Sequence, residues 1–276
     1  MSFLYIIIVF IVGITFGSFS NAFVWRFHQN KSNKKKNKSY SIVNGRSMCP
    51  HCEHKLSYYD LVPVLSWIVL AGKCRYCHKR ISISYPLTEL FTALVFVASF
   101  AYWPLKFNGQ GITLFVLWFI IVTGLIILAL YDIKYMLLPN EIIIVLFCLV
   151  LLQIIISLIF FDKNYHYIIN NIIGFVIGGG IFYLLFQISK GDWIGGGDVK
   201  LGALLGLYLG NGNLAILMIF IASIIGTLFA IPGLIKRNIG PKSQIPYGPY
   251  LIIATIVLAL FGSSLIKWLI SHGVYV

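Results

Sequence analysis

The chain has 276 residues, of which 59% are hydrophobic and only 11% are charged. A soluble domain averages about 45–50% apolar and about 25% charged residues, so this composition excludes a soluble globular protein. The net charge is +13, and 12 of the 21 Lys and Arg residues fall between Arg26 and Arg80. Basic charge beside apolar segments is typical of membrane topology signals, and we expect no nucleic-acid partner.

Eight apolar segments are long enough, or nearly long enough, to be transmembrane helices, which need about 20 residues. The sequence therefore predicts an all-α polytopic membrane protein with about eight transmembrane helices in a lipid bilayer. The eight segments are 3–25, 86–103, 112–131, 141–161, 167–188, 199–211, 213–235 and 248–270.

The segment 199–211 is the short one, since 13 residues make roughly 20 Å of helix against a hydrocarbon layer of about 30 Å. We expect the preceding glycines 195–197 to form irregular backbone, which survives at that depth only when buried in protein or lining water. Glycines also recur every fourth residue in two segments, a spacing that favours close helix packing. These are Gly174 and Gly178, then Gly202, Gly206 and Gly210.

The distribution of basic residues predicts an orientation. No basic residue precedes the first apolar segment and Arg26 follows it directly, so we expect the N-terminus outside the cell membrane. The inside loops are then 26–85, 132–140, 189–200 and 236–247, which hold 18 of the 21 basic residues. We divide the chain into a first transmembrane helix (1–25), a cytoplasmic basic loop (26–85) and a seven-helix membrane core (86–276).

Two CxxC pairs lie in the basic loop, with 21 residues between them. Paired thiolates at this spacing favour a tetrahedral Zn²⁺ site, and a cytoplasmic loop keeps thiols reduced. Four thiolates leave no open coordination position, so such a metal is structural. Two disulfides or redox thiols are the alternative. The four cysteines are Cys49, Cys52, Cys74 and Cys77.

Two of the eight carboxylates stand at the ends of apolar segments on the same membrane face. Asp132 ends the third segment and Asp198 opens the sixth, 66 positions later. Two carboxylates brought together can share one proton and act as acid and base on a water molecule. The alternative is that each aspartate caps a helix or pairs with Lys134 or Lys200.

The helix dipole makes the two positions unequal. Asp198 lies at a helix N-terminus, where the dipole favours the anion, and Asp132 lies near a C-terminus, where it does not. We expect Asp198 to hold the charge and Asp132 the proton.

Glu89 and Asp192 are two further acidic candidates. Glu89 enters the second apolar segment, where an ionisable group is costly and is a functional candidate by default. Pairing with a loop arginine is the alternative for Glu89. Asp192 precedes the glycines and is expected to be solvated in its loop.

At these residues the chain closely resembles the type IV prepilin peptidases, including those that process competence pseudopilins. The likeness runs nearly end to end through an ordered series of motifs. The series comprises Gly17-Ser18-Phe19 with Asn21, both CxxC pairs, Pro63-Val64-Leu65-Ser66-Trp67, Tyr85-Pro86-Leu87-Thr88-Glu89-Leu90, Asp132 with Leu138-Pro139, Gly195, Gly197 and Asp198 with Lys200, and Pro246-Tyr247-Gly248-Pro249.

The resemblance implies an eight-span aspartic endopeptidase that cuts the short basic leader of prepilins after a glycine, at the cytoplasmic membrane face. It places the catalytic pair on Asp132 and Asp198. It also implies that many relatives methylate the new N-terminus with S-adenosylmethionine. Asn140 stands where the family usually has Asp, and Asp192 stands where Glu is common.

Two rival functions use the same residues differently. An ion-coupled transporter would relay protons through buried carboxylates, but such folds show paired interrupted helices and only one Gly-interrupted acidic segment is evident here. A metal-dependent membrane protease would need an open metal site, and no HExxH motif occurs in the sequence.

Overall fold

The structure is a computed structural model that describes residues 3–32, 45–160, 164–235 and 245–271. Most of the basic run 31–38 and most of the predicted inside loop 236–247 lie outside the described residues. The chain divides into two compact units, Met1–Ala101 and Tyr102–Val276. Each unit is described by itself.

The first unit consists of two apolar helices and the cysteine loop between them. Helix α1 spans Phe3–Ser32, and α3 spans Ser84–Ala101. The loop carries a 3-10 turn at Tyr58–Leu61 and the short helix α2 at Leu65–Val69. Neither of these two short elements was predicted from the sequence.

Small residues bring the backbones of α1 and α3 together. A Cβ added at Gly13 would lie 2.5 Å from Cα of Ala93, and one at Gly17 would lie 2.6 Å from Cα of Glu89. Only glycine fits at such a separation, so the two helices pack through main-chain contact, as small residues allow in membrane helices.

The second unit contains six helices within its described residues. Helix α4 is the most buried of them, with Trp118, Ile121 and Leu125 almost fully shielded. The helices are α4 (Gly109–Tyr135), α5 (Asn140–Phe160), α6 (Tyr165–Ser189), α7 (Gly196–Leu209), α8 (Gly212–Ile235) and α9 (Gly248–Ser271).

All eight predicted apolar segments form helices, and the all-α fold is confirmed. Among the described residues, α1, α3, α4, α5, α6 and α8 are long and apolar enough to cross a membrane. Helix α7 has 14 residues, and α9 contributes a shorter apolar stretch, Gly248–Gly262. The chain is therefore a multi-pass membrane protein.

Helix α7 is held by its neighbours despite its length, packing against α5, α6, α8 and α9. Its closest partner is α6, where the predicted glycine contacts are confirmed. A Cβ at Gly206 would lie 2.1 Å from the carbonyl oxygen of Gly174, and one at Gly178 would lie 2.4 Å from that of Gly202. Tyr208 also stacks on Trp118, with ring centroids 5.1 Å apart.

The glycines before Asp198 differ from expectation in one respect. We expected 195–197 to be irregular, but α7 already begins at Gly196, and Gly195 is its extended N-cap with φ −74° and ψ 149°. The non-helical stretch lies earlier, at 190–195. The first N–H groups of a helix need no intrahelical partner, so glycine costs little at these positions.

Candidate functional site

Asp132 lies in the last turn of α4 with its side chain buried, 6% exposed. The helix ends at its C-cap Met136, which has a left-handed backbone (φ 52°) and whose N–H donates to the carbonyl oxygen of Asp132 at 2.8 Å. The carboxylate itself accepts a hydrogen bond at Oδ2 from the backbone N–H of Gly248, the first residue of α9, at 3.1 Å. Asp132 is therefore fixed by a donor from a different helix.

Asp198 is the third residue of α7 and is half-buried. Its backbone N–H donates to the carbonyl oxygen of Gly195 at 3.0 Å, and a Cβ on Gly195 would lie 3.6 Å from Oδ2 of Asp198. The carboxyl group thus folds back toward the N-cap. The free N–H groups of a helix N-terminus and its dipole favour an anion there.

The second unit brings the two aspartates together around the start of α9. A Cβ added at Gly248 would lie 2.7 Å from Oδ2 of Asp132 and 3.3 Å from Cδ2 of Leu201, one turn after Asp198. Asp132 of α4 and Leu201 of α7 therefore meet at the first residue of α9, one helical turn from Asp198.

Two of the residues considered as alternatives, Lys200 and Asp192, do not contact the aspartates through a described hydrogen bond or ion pair. Nζ of Lys200 donates to Oδ1 of Asn140 at 2.8 Å, which links α7 to the start of α5. Asp192 is exposed in the turn before α7.

Gly248 is the site residue whose role the sequence did not reveal. Its motif was noted, but nothing in a run of Pro246, Tyr247 and Gly248 indicates a hydrogen bond to Asp132. The hydroxyl of Tyr247 holds this turn against α8, because it lies 2.9 Å from the hydroxyl of Ser223 and donates to the carbonyl of Ile219 at 3.3 Å. The sequence feature that could have indicated this role is Gly248 itself, between Pro246 and Pro249, because a glycine allows the backbone to approach another group closely.

The first unit gathers the four cysteines of the basic loop into one cluster. Their sulfur atoms all lie within 4.8 Å of one another, and Sγ of Cys49 lies 3.9 Å from Sγ of Cys77. Zn–S bonds of about 2.3 Å in a tetrahedron place sulfur atoms roughly 3.8 Å apart. All five cysteines of the chain carry free thiols. The cluster therefore fits a tetrahedral metal ion with four thiolate ligands.

The two CxxC pairs have the same local structure, shifted by 25 residues. The N–H of Cys49 donates to the carbonyl of His54, and that of Cys74 donates to the carbonyl of Lys79. In each turn the fourth residue after the first cysteine has a positive φ, 55° at Glu53 and 56° at His78. This repeated turn presents both thiols of each pair to the same point.

Backbone amides favour thiolates in this cluster, although burial opposes them. Burial raises the pKa of the Cys74 thiol, but hydrogen bonds from the amides of Cys77 and Tyr76 outweigh it and lower the pKa to about 7. Burial dominates at Cys49, whose pKa is raised to about 12. The directions are opposite because neighbouring sulfurs cannot all ionise without a cation to offset their repulsion.

Glu89 does not face solvent and is 6% exposed in α3. Its Oε2 accepts a 2.7 Å hydrogen bond from the backbone N–H of Val64. The loop arginine Arg75 pairs instead with Asp60, at 2.7 Å between Nε and Oδ1.

These features define a multi-pass membrane protein with two aspartates near the start of α9 and a cluster of four thiols whose geometry fits a metal ion. Residues 11–103 match the bacterial peptidase A24 N-terminal domain, and residues 119–231 match the type IV leader peptidase family. The chain belongs to the type IV leader peptidase family, as its resemblance indicated. No solved structure matches the chain.

Several curated relatives are similar over nearly their full length. The chain is 32% identical to a prepilin leader peptidase/N-methyltransferase of Bacillus subtilis strain 168 over 263 residues, covering 95% of this chain and 97% of the relative. It is 32% identical to the protein of the same name from Vibrio cholerae over 265 residues, covering 94% and 97%. The corresponding protein of Aeromonas salmonicida is 30% identical over 291 residues, covering 97% and 94%. These likenesses do not favour the ion-coupled transporter.

Proposed function

We propose that the protein is a membrane-embedded aspartic endopeptidase that cleaves the short basic leader of type IV prepilins or competence pseudopilins. Asp132 and Asp198 are its catalytic pair. The observation that carries the proposal is the start of α9, where the Gly248 N–H donates to Oδ2 of Asp132 and where Leu201, one turn after Asp198, lies against the same residue. Membership of a leader peptidase family supports the choice of substrate.

The chemistry needs one ionised and one protonated carboxyl group. The ionised group takes a proton from a water molecule, whose oxygen attacks the scissile carbonyl carbon. The protonated group donates to the carbonyl oxygen, and proton return to the leaving amine breaks the C–N bond. A pair of close carboxyl groups favours this singly ionised state, because both cannot be charged at low cost.

The helix ends decide which carboxyl group holds which state. Asp198 is in the first turn of α7, where the dipole stabilises an anion, and Asp132 is in the last turn of α4, where it destabilises one. We therefore assign the charge to Asp198 and the proton to Asp132 in the resting pair. A protonated Asp132 still accepts from the Gly248 N–H through its carbonyl oxygen.

We place the pair at the cytoplasmic face of the cytoplasmic membrane, with the N-terminus outside. The count of basic residues in the loops supports this orientation. The leader of the substrate is basic and adjoins an apolar segment, so a site at the membrane boundary can reach its cleavage position. The predicted division into 1–25, 26–85 and 86–276 assigns the peptidase chemistry to the last part.

We propose that the four cysteines, Cys49, Cys52, Cys74 and Cys77, hold a structural Zn²⁺. Four thiolates saturate a tetrahedral ion, so its contribution is to fold the loop and not to activate water. We also propose that the protein methylates the new N-terminus with S-adenosylmethionine, which the names of the relatives support.

The peptidase proposal is tested with Asp132→Asn and Asp198→Asn on a pilin-like precursor in membranes. Each change keeps size and hydrogen bonding while removing the ionisable group, so we expect stable protein and uncut precursor in both. Asp192→Asn is the matched control, because Asp192 is exposed near Asp198, and we expect cleavage at the wild-type rate. Cleavage by either dyad variant would reject the assignment.

A further inference from the structure

The second CxxC turn (73–80) places two basic residues directly opposite each other. Lys73 and Arg80 pair in an antiparallel bridge. The backbone hydrogen bonds of this bridge come from the flanking residues, for example from the N–H of Ile81 to the carbonyl of Gly72 at 2.7 Å. A pair flanked in this way has Cα atoms about 4.5 Å apart, and its side chains lie close together on one face. The turn therefore holds two positive charges side by side.

Neither charge is balanced within the described part of the chain. Lys73 and Arg80 are both exposed, and among the described residues their side chains form no ion pair or hydrogen bond. The segment 73–80 holds four Lys and Arg residues and no Asp or Glu. Like charges directly opposite each other destabilise a strand pair. An anion bound between the two side chains would remove this repulsion.

The first CxxC turn (48–55) shows that the fold of the loop does not require two opposed charges. It has the same backbone hydrogen bonds, and its bridge pairs Met48 with Lys55. The charges of the second turn do not face the thiol cluster either, because successive side chains of an extended segment point to opposite faces. Cys74 is buried, whereas Lys73 before it is exposed. The pair in the second turn therefore indicates a function other than folding.

An open cleft of about 510 Å³ lies beside the pair. Lys73 and Arg80 line it together with the apolar side chains of Trp67, Ile81 and Ile83. Trp67 is held in place, since its Nε1 donates to the carbonyl of Ile81 at 3.2 Å. Among the described residues, no carboxylate lines the cleft. Its lining thus combines two cations with an apolar surface.

The cleft lies close to the point where the chain enters the membrane. Arg80 precedes Ser84, the first residue of α3, by four residues, which span at most about 14 Å. The 18 residues of α3 make about 27 Å of helix, close to the hydrocarbon thickness of about 30 Å, so Ser84 lies near its boundary. The headgroup layer begins at this boundary. The cleft is therefore within reach of the lipid phosphates.

The same loop exposes apolar side chains that are unfavourable in water. Tyr58 and Tyr59 are 79% and 81% exposed, and Val69 at the end of α2 is 78% exposed. Tyrosine is enriched at membrane–water interfaces, and segments that lie on a membrane combine apolar side chains with Lys and Arg. The loop therefore has the composition of a segment that rests on a lipid surface.

We propose that the cleft at Lys73 and Arg80 binds the headgroup phosphate of an anionic phospholipid. The phosphate oxygens accept hydrogen bonds from the ammonium and guanidinium groups, and a guanidinium binds two such oxygens at once. The apolar lining favours a lipid over inorganic phosphate, which would use only the cations. Anionic lipids of the inner leaflet attract basic segments of this kind. The site does not depend on peptidase activity.

The test is native mass spectrometry of the full-length protein in detergent, titrated with phosphatidylglycerol or with phosphatidylcholine of the same acyl chains. We expect the wild type to bind phosphatidylglycerol more tightly. Lys73→Met copies the first turn, where Met48 stands opposite Lys55, so this variant is expected to fold. The dissociation constant for phosphatidylglycerol should rise about five-fold in Lys73→Met and about thirty-fold when Arg80→Gln is added.

Lys55→Gln combined with Lys79→Gln is the matched control, because it removes the same charge from the same loop and neither residue lines the cleft. We expect it to bind phosphatidylglycerol as the wild type does. An equal loss of affinity in this control and in the double variant of the cleft would indicate diffuse attraction and refute the site.

Two further outcomes would overturn the proposal. One is equal affinity of the wild type for the two lipids. The other is displacement of phosphatidylglycerol by millimolar inorganic phosphate, which would identify a site for a free anion. Exchange of the two cations, Lys73→Arg with Arg80→Lys, keeps both charges and is expected to preserve lipid binding. A loss as large as that of the double variant would contradict an electrostatic role for the pair.

Discussion

The backbone N–H of Gly248 donates a hydrogen bond of 3.1 Å to Oδ2 of Asp132, across 116 residues of sequence. The contact is possible because position 248 has no side chain, since a Cβ there would lie only 2.7 Å from the same oxygen. The start of α9 therefore sets the position of one member of the proposed catalytic pair.

Gly248→Ala is expected to reduce leader cleavage by about a hundred-fold while the protein remains folded. The added methyl group would displace the Asp132 carboxylate by a fraction of an ångström to an ångström, and misplacement of that size costs such a factor. The measurement is the initial rate of precursor cleavage. Gly109→Ala is the control, because Gly109 also begins a helix and a Cβ there meets nothing within 4 Å. Equal rates for both variants would contradict the role of Gly248.

Gly206→Ala is expected to destabilise the second unit. The new Cβ would lie 2.1 Å from the carbonyl oxygen of Gly174, so α6 and α7 must move apart. Overpacking of this kind costs about 1–3 kcal/mol, and the melting temperature in detergent should fall. Gly180→Ala on α6 is the comparison, since nothing lies within 4 Å of its Cβ. A melting temperature unchanged by Gly206→Ala would show that the two helices are not in main-chain contact.

Removal of one cysteine ligand is expected to release the metal. Purified protein should contain about one zinc per chain, and Cys49→Ser should lose most of it because three thiolates bind more weakly than four. Elemental analysis measures both. Cys148→Ser should retain the metal, since Cys148 is an exposed residue of α5 outside the cluster. Equal zinc in Cys49→Ser and wild type would refute the site.

The orientation of the chain is testable with reporter fusions. Alkaline phosphatase fused after Asn164, between α5 and α6, should be active because that loop is predicted to lie outside. The same reporter fused after Gly191, between α6 and α7, should be inactive, since this loop is predicted to be cytoplasmic. The reverse pattern would place the aspartates at the outer face and remove the proposed access to the leader.

Helix positions were predictable because uninterrupted apolar runs leave few alternatives for a chain in lipid. Segment 141–161 corresponds to α5 at Asn140–Phe160, and 213–235 corresponds to α8 at Gly212–Ile235. The short helix α2 was not predicted, because five residues in a polar loop carry no periodic signal. The extension of α1 to Ser32 was missed as well, because its last turns are polar and lie beyond the apolar segment from which the helix was predicted.

The site was predictable in part. The spacing of the CxxC pairs indicates a four-thiol cluster, and the structure brings those sulfurs together. The ends of two apolar segments predicted that Asp132 and Asp198 lie at one face. Sequence could not show the donor from Gly248, because it depends on a contact between helices that no local pattern encodes.

The shortness of α7 has a consequence for how water, the second reactant in hydrolysis, reaches Asp198. Fourteen residues cover about 21 Å, roughly two-thirds of the hydrocarbon thickness, and Asp198 lies in the first turn of this helix. Residues 190–195 before it are not helical, and their peptide groups without an internal partner need hydrogen bonds that lipid cannot supply. Water that satisfied these groups would also reach the first turn of α7, which is where the proposed hydrolysis needs it.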